Sequence, residues 1–144
     1  MSEDRKVAII TGSSQGLGAS IAIKLSQRNI NLVINYSNNK DMALKIKDEC
    51  VNNGVEAITV QADVSIDEDC KKLVQKTINA FGKVDILVNN AGTTKFADHS
   101  KLDKLNDEDF INIYKVNVIG PYQMIRAVEP IMKKNGFGSV VNIS

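Results

Sequence analysis

Val7-Ala8-Ile9-Ile10-Thr11-Gly12-Ser13-Ser14-Gln15-Gly16-Leu17-Gly18 decides the fold. An apolar run of strand length gives way to a glycine-rich turn, after which Leu17, Ile21, Ala22 and Leu25 recur at helical spacing. A strand, a glycine turn and a helix N-terminus in that order form the place where α/β proteins bind nucleotide phosphates. Gly12 lets the chain turn off the strand. Gly16 leaves room for a pyrophosphate against the backbone, and Gly18 lets the helix pack close to the sheet. Free N–H groups of the first helical turn then point at the anion, and the helix dipole adds a favourable field. The whole turn, Gly12, Ser13, Ser14, Gln15, Gly16, Leu17 and Gly18, is therefore a candidate phosphate cradle. Its G-x-x-x-G-x-G spacing is one residue longer than the common dinucleotide fingerprint. An ordinary glycine-rich strand-to-helix turn would read the same way.

Working outward, strands and helices alternate. Lys6 to Ile10 reads as strand one, Asn31 to Asn35 as strand two and Ala57 to Val60 as strand three. Met42, Ile46 and Cys50 mark the inner face of a second helix that stops at Asn53-Gly54. Ser65 followed by Glu68 is a capping-box signature for a third helix, whose Leu73, Thr77 and Phe81 share a face and which Gly82 ends. Val84 to Val88 reads as strand four and Val140 to Ile143 as strand five. A long helical region from about Asn106 to Lys134 separates these two, with a kink or break expected near Pro121. Strands without polar alternation, separated by helices, predict a parallel sheet covered on both faces. With right-handed crossovers this is a doubly wound, Rossmann-type α/β sheet, read as one unit over 1–144 and ending after its fifth strand.

Composition excludes several classes. The 144 residues fit one domain with a real core, and 43% hydrophobic with 24% charged residues is ordinary for a soluble globular chain. A net charge of +1 with scattered lysines offers no surface for nucleic acid or an acidic membrane. The N-terminus, Met1 to Lys6, is polar and runs straight into the first strand, so no signal peptide is expected, and no apolar stretch reaches membrane-spanning length. Cys50 and Cys70 lack metal-ligand or C-x-x-C spacing, so reduced thiols, a cytoplasmic location and no metal site are expected.

Three further motifs follow in order: Asp63-Val64 after strand three, Asn89-Asn90-Ala91-Gly92 at the end of strand four, and Val116-Asn117-Val118-Ile119-Gly120 in the long helical region. With the glycine turn, they make the chain resemble the short-chain dehydrogenase/reductase family, most closely its β-ketoacyl-acyl-carrier-protein reductases and related sugar or alcohol dehydrogenases. The resemblance spans nearly the whole chain. It implies hydride transfer between a nicotinamide dinucleotide and a small carbonyl or alcohol substrate. Asp63, with Val64 beside it, would accept a hydrogen bond from the adenine amino group; a turn or helix-capping aspartate is the alternative. Asn89 and Asn90 would brace neighbouring strands and line the cofactor ribose, while Ala91 and Gly92 are small enough for the cofactor to lie on the backbone. A plain turn also accounts for Asn-Asn-Ala-Gly. Asn117 stands mid-helix, where asparagine is a poor choice. The resemblance makes it a catalytic residue that holds a water through its local backbone in a proton relay.

At the end of strand two, Asn35, Tyr36 and Ser37 lead into Asn38-Asn39-Lys40. A carboxylate here would bind the ribose hydroxyls and repel a 2′-phosphate. None is present, and Ser37, the asparagines and Lys40 suit a phosphate, so NADP is expected, with NAD possible. Gln15 departs from the basic residue that many NADP-dependent relatives carry in the glycine turn.

The family's chemistry rests on a Tyr-x-x-x-Lys pair. Tyr36 is followed four residues on by Lys40, but at the end of strand two, before strand five, where the pair cannot occupy the catalytic position. Tyr114 has no lysine there, and Tyr122 is followed by Arg126. Ser144 matches the residue before the family's substrate serine, or that serine itself if the register differs by one. An intact relative of about 250 residues, one large α/β domain, would add the catalytic helix and the last strands. The chain thus reads as the cofactor half of a reductase, without turnover alone. The competing reading is a short dinucleotide-binding sensor or interaction protein. Without the missing helix, Ile125, Val128, Ile131 and Met132 are expected to lose partners, and the intact protein to form a homo-oligomer through the long helical region. Thr93 to Ser100 should edge the substrate side, with His99 touching substrate or simply exposed in the loop.

Overall fold

The computed structural model describes residues 4–144. Strand β1 (Val7–Ile10) is buried at every residue, as expected of apolar, mostly β-branched side chains covered on both faces. Helix α1 (Gly16–Ser26), strand β2 (Asn31–Tyr36), helix α2 (Lys40–Asn52), strand β3 (Ala57–Gln61), helix α3 (Asp67–Phe81) and strand β4 (Ile86–Asn89) follow in alternation. A long irregular segment after β4 contains one 3-10 turn at Leu102–Lys104. Helix α4 (Asp107–Tyr114) and helix α5 (Gly120–Asn135) then lead to strand β5 (Ser139–Asn142).

The five strands form one sheet in the order β3-β2-β1-β4-β5, every pair parallel. This is the doubly wound, Rossmann-type arrangement. Successive strands step one way from β1 to β3, and the chain then crosses back to place β4 on the other side of β1. The change of direction opens a crevice at the carboxyl ends of β1 and β4. One sheet face buries Ile9, Val33 and Leu87 against Leu73 of α3 and Met124 and Val128 of α5. The other buries Ala8, Ile10, Leu32 and Ile34 against Ala22 of α1 and Ala43 and Cys50 of α2. Each fully buried Leu or Ile contributes about 1.5–3 kcal/mol of transfer free energy, so both helical layers are firmly held to the sheet.

Several local expectations give way to tertiary context. No capping box forms at Ser65 and Glu68: α3 starts from Ile66 without a side-chain cap. Ser65 instead gives both its N–H (2.9 Å) and its hydroxyl (2.7 Å) to Asp63 Oδ1, a charge-assisted pair stronger than a neutral cap. Three acids in the first turn of α3 complement its dipole without that cap. Leu17 lies on the outer side of α1 and is exposed, and Met42 is only half-buried because Ala43 faces the sheet. Strand β4 begins at Ile86 rather than Val84, since Asp85 serves as a lead-in whose carboxylate accepts the Val7 N–H at 2.8 Å.

The long helical region does not break at Pro121. A π turn at Lys115–Ile119 widens the helix just before it, with the Gly120 N–H donating to the carbonyl five residues back, at Lys115. Pro121 then falls in the first turn of α5, where its missing N–H and fixed φ do least harm. The apolar residues of α5 are also not left bare. Val128 and Met132 are buried, and Ile125 and Ile131 pack against the same core. Exposed apolar side chains in this part of the chain include Phe110, Ile111 and Tyr114 of α4, then Val118 and Tyr122, and, on and beside β5, Val140, Val141 and Ile143. The 125/128/131/132 set packs into the core shared with α3, while 111, 114, 118 and 122 stay outside it. Among the described residues no helix is long and apolar enough to cross a membrane.

Candidate functional site

The crevice is a cleft of about 530 Å³, within the size range of small-molecule sites. The glycine turn contributes Gly12, Ser14, Gln15 and Gly16, and the end of β2 contributes Asn35, Tyr36 and Ser37. Asp63 and Val64 line it after β3, and Asn90, Ala91 and Gly92 after β4. Four segments far apart in sequence are thus brought to one mouth by the parallel topology. Ser13, Leu17 and Gly18 do not line the cleft.

Those three have other tasks or none at the cleft. Ser13 is fully buried; its hydroxyl donates to the Ile10 carbonyl at 2.7 Å and accepts the Asn35 N–H at 3.0 Å. Gly18 is the tightest point of the turn, because a Cβ there would stand 2.4 Å from Asn90 Nδ2 and 2.5 Å from the Gly12 carbonyl oxygen. Gly12 combines φ +61° with a neighbour, Ala91 Cα, 2.9 Å from where its Cβ would be. The backbone of the turn therefore lies directly on the segment after β4. Gly16 has nothing within 4 Å of such a Cβ, so the space beside it is open.

Three side chains, Thr11, Asn90 and Asn35, hold the cleft floor. Thr11 Oγ1 accepts the N–H groups of Asn90 (3.0 Å) and Ala91 (2.9 Å), latching β1 to the segment after β4. Asn90 returns the contact through Nδ2 to the carbonyls of Thr11 (3.2 Å) and Gly12 (3.1 Å). Asn35, also buried, accepts the Gly12 N–H at 2.9 Å and donates to the carbonyls of Val60 (3.2 Å) and Ala62 (3.1 Å). Its amide is spent on bracing the turn against β3. Asn89 gives Nδ2 to Asn142 Oδ1 at 2.9 Å, tying β4 to β5.

Asp63 is a turn aspartate that also faces the cleft. Oδ1 closes the turn with Ser65, while the residue still faces the cleft, where it is the one charged side chain of the lining. Lys40 is the first residue of α2 and does not line the cleft; Asn38 and Asn39 do. Asn39 uses its side-chain oxygen to cap α2 through the Met42 N–H at 3.1 Å. Asn117 is exposed on the π turn and pairs with one residue twice. Its Oδ1 accepts the Thr93 N–H at 2.8 Å and its Nδ2 donates to the Thr93 carbonyl at 2.9 Å. Pro121 has no N–H for the Asn117 carbonyl four residues back, so that oxygen lacks its α-helical donor.

The segment beyond Thr93 is pinned once more. Lys95 Nζ lies 2.8 Å from Asp109 Oδ2, and Asp109 with Asn106 forms a capping box at the start of α4. The Lys95 ammonium, helped by the Asn106 N–H, holds the Asp109 carboxyl below the ordinary carboxylate range. His99 sits in the exposed loop. Ala62 and Val116 line the cleft without any chemical signal in sequence, whereas Thr11, directly after β1, carried a hydroxyl whose role only the fold reveals.

A dinucleotide suits this arrangement on geometric grounds. The N-terminus of α1, entered through extended Gln15, has no side-chain cap on its N–H groups, which leaves them for an anion. The cradle beside it is kept open by glycines whose Cβ atoms would collide with its walls. Fold and cleft together define a doubly wound, Rossmann-type α/β protein with an open crevice where the strand order reverses. The short chain dehydrogenase family profile matches residues 6–144, and the chain belongs to that family.

Its relatives agree. The 3-oxoacyl-[acyl-carrier-protein] reductase of Staphylococcus epidermidis is 33% identical over 139 residues, covering 96% of this chain and 56% of that protein. A metagenomic short-chain oxidoreductase crystallised in complex with NADP superposes with a TM-score of 0.89 at 30% identity, over all of this chain and 63% of that one. NAD+-bound xylitol dehydrogenase gives 0.87 at 28% identity, over 95% of this chain and 52% of that one. The chain therefore spans about half the length of the curated relatives it matches.

Proposed function

We propose that residues 1–144 form an NADP(H)-binding unit of an oxidoreductase that moves a hydride between the cofactor and a carbonyl or alcohol carbon of a small molecule. The observation that carries this is the uncapped α1 N-terminus beside a glycine cradle, facing Asp63 across one cleft. The bound nicotinamide supplies the hydride chemistry. Backbone N–H groups at the start of α1 hold the diphosphate, with Ser14, Gln15 and Gly16 lining its path. Asp63 accepts the adenine amino group, and Val64 packs beside the ring. Asn90, Ala91 and Gly92 carry the ribose on the nicotinamide side, held in place by Thr11. Asn117 fixes Thr93 at the substrate end and offers its carbonyl, freed by Pro121, to a proton-carrying water.

NADP is favoured over NAD because the end of β2, Tyr36-Ser37-Asn38-Asn39, carries no carboxylate to repel a 2′-phosphate. Similarity to both NADP-bound and NAD+-bound proteins of the family is consistent with either cofactor. The substrate class follows the reductase relatives, and copies of the protein associate through the exposed apolar side of α4 and α5. This chain alone gives no turnover, since neither Tyr114 nor Tyr122 stands four residues before a lysine, and Tyr36, which precedes Lys40 by four, ends β2 rather than following β5. Titration of the 144-residue chain with NADPH and NADH, followed by cofactor fluorescence, tests the reading. Binding that is tighter for NADPH supports it; failure of both cofactors to bind sinks it.

A further inference from the structure

Gln123 alone is polar, Gly120 aside, among the buried residues of α5. Its Nε2 donates to the Val64 carbonyl at 2.7 Å. The other donor to that carbonyl is the Cys70 thiol at 3.2 Å, a weak hydrogen-bonding group. A turn earlier on α5, Gly120 lies so close that a Cβ would stand 2.8 Å from Val64 Cγ2. One turn later Arg126 reaches Asp67 at 2.9 Å. A single face of α5 thus grips the segment 63–67.

That segment needs an outside hold. Ala62 is the last residue bonded to the sheet, through its N–H to Tyr36 and its carbonyl to Asn35. Beyond it, Asp63 is tied to Ser65 of its own turn and, through its N–H, to the Asp69 carboxylate in the first turn of α3. Both α3 and α5 thus hold the turn, and the shorter bond to the Val64 carbonyl, beside Asp63, comes from Gln123 of α5. We propose that Gln123 is a positioning residue for adenine recognition: by holding the Val64 carbonyl it sets where the Asp63 carboxylate meets the adenine amino group. The inference rests on the cofactor reading of the cleft.

The test compares the cofactor that the chain binds, NADPH or NADH, with its hypoxanthine analogue, which lacks the adenine amino group. The unmodified chain binds the adenine form more tightly, roughly tenfold or more for a hydrogen bond to a carboxylate. Gln123→Met keeps length and burial but removes the donor, and the preference falls several-fold toward one. A role in folding alone would weaken both ligands equally and leave the ratio intact, which overturns the proposal. A second readout needs no variant: the Gln123 side-chain amide resonances of the unmodified chain shift differently with the two ligands. Identical shifts overturn the proposal even if the variant does not fold. Failure of the unmodified chain to bind either cofactor would instead refute the reading of the cleft.

Discussion

Gly18→Ala adds one methyl group at the point where α1 meets the turn, and the structure fixes what that methyl must displace. Its Cβ would lie 2.4 Å from Asn90 Nδ2, 2.5 Å from the Gly12 carbonyl oxygen and 3.0 Å from Ser13 Cα. Ordinary contact begins about 1 Å further out. Gly12 is backbone, so Asn90 has to yield, and a shift of that size breaks its bonds to the Thr11 and Gly12 carbonyls. Overpacking costs about 1–3 kcal/mol, and the two hydrogen bonds about 1 kcal/mol each. Alanine's better helix propensity offsets about 1 kcal/mol. The net loss is about 2–4 kcal/mol, which lowers the urea midpoint by about 1–2 M for a slope near 2 kcal/mol/M. Unfolding followed by circular dichroism reads it directly. Gly54→Ala is the control, because Gly54 has φ +96° but open space around it; it should cost only the conformational strain, about 1–2 kcal/mol. A Gly18→Ala midpoint equal to or above that of the unmodified chain would refute the steric argument.

Asp109 has its pKa lowered chiefly by Lys95 and then by the Asn106 N–H. A depressed carboxyl stabilises the fold above its unfolded value and loses that contribution as pH falls through the folded one, so the Lys95–Asp109 link opens only below the ordinary carboxylate range. Lys95→Met should move the Asp109 titration upward when followed by NMR of the carboxyl carbon; an unmoved titration would show that the ion pair does not set it. The Cys70 thiol is pushed up to about 12, chiefly by burial and then by Asp67, and burial also raises Cys50. Both should resist a disulfide reagent at pH 8 in the folded chain and react at once in denaturant, whereas rapid labelling of the native protein would contradict their burial.

Much of the architecture is legible in sequence because its signals are local. Apolar runs separated by helical periods announce every strand, and glycine placement announces the turn. What escapes is whatever depends on a neighbour distant in the chain. Ser65 and Glu68 fit a capping box, but Asp63 offers the Ser65 hydroxyl a charged acceptor. Asn35 reads as a cofactor contact and lines the cleft, yet its amide is saturated by Gly12, Val60 and Ala62. Ile125 to Met132 read as an unpartnered stripe until α3 is seen against them. Asn117 is conspicuous as an asparagine mid-helix, but its partner Thr93 lies 24 residues away and could not be chosen from spacing.

The β1–β4 pairing carries a consequence for how the cleft comes into being. The bonds that seal its floor join residues 77 to 80 positions apart, whereas the β1-β2 and β2-β3 neighbours are joined by single helical crossovers. Closure of so long a loop is paid in chain entropy before any contact rewards it. The β1–β3 half has the shorter route to assembly, and the cleft exists only once β4 has docked beside β1. A dinucleotide spanning the Gly12 turn and Gly92 would bind that docked state alone, so its binding free energy would fall on the step that completes the sheet. Added cofactor should then slow the undocking of β4 more than the fraying of β3, making the ligand a clasp on the slowest-formed seam of the fold.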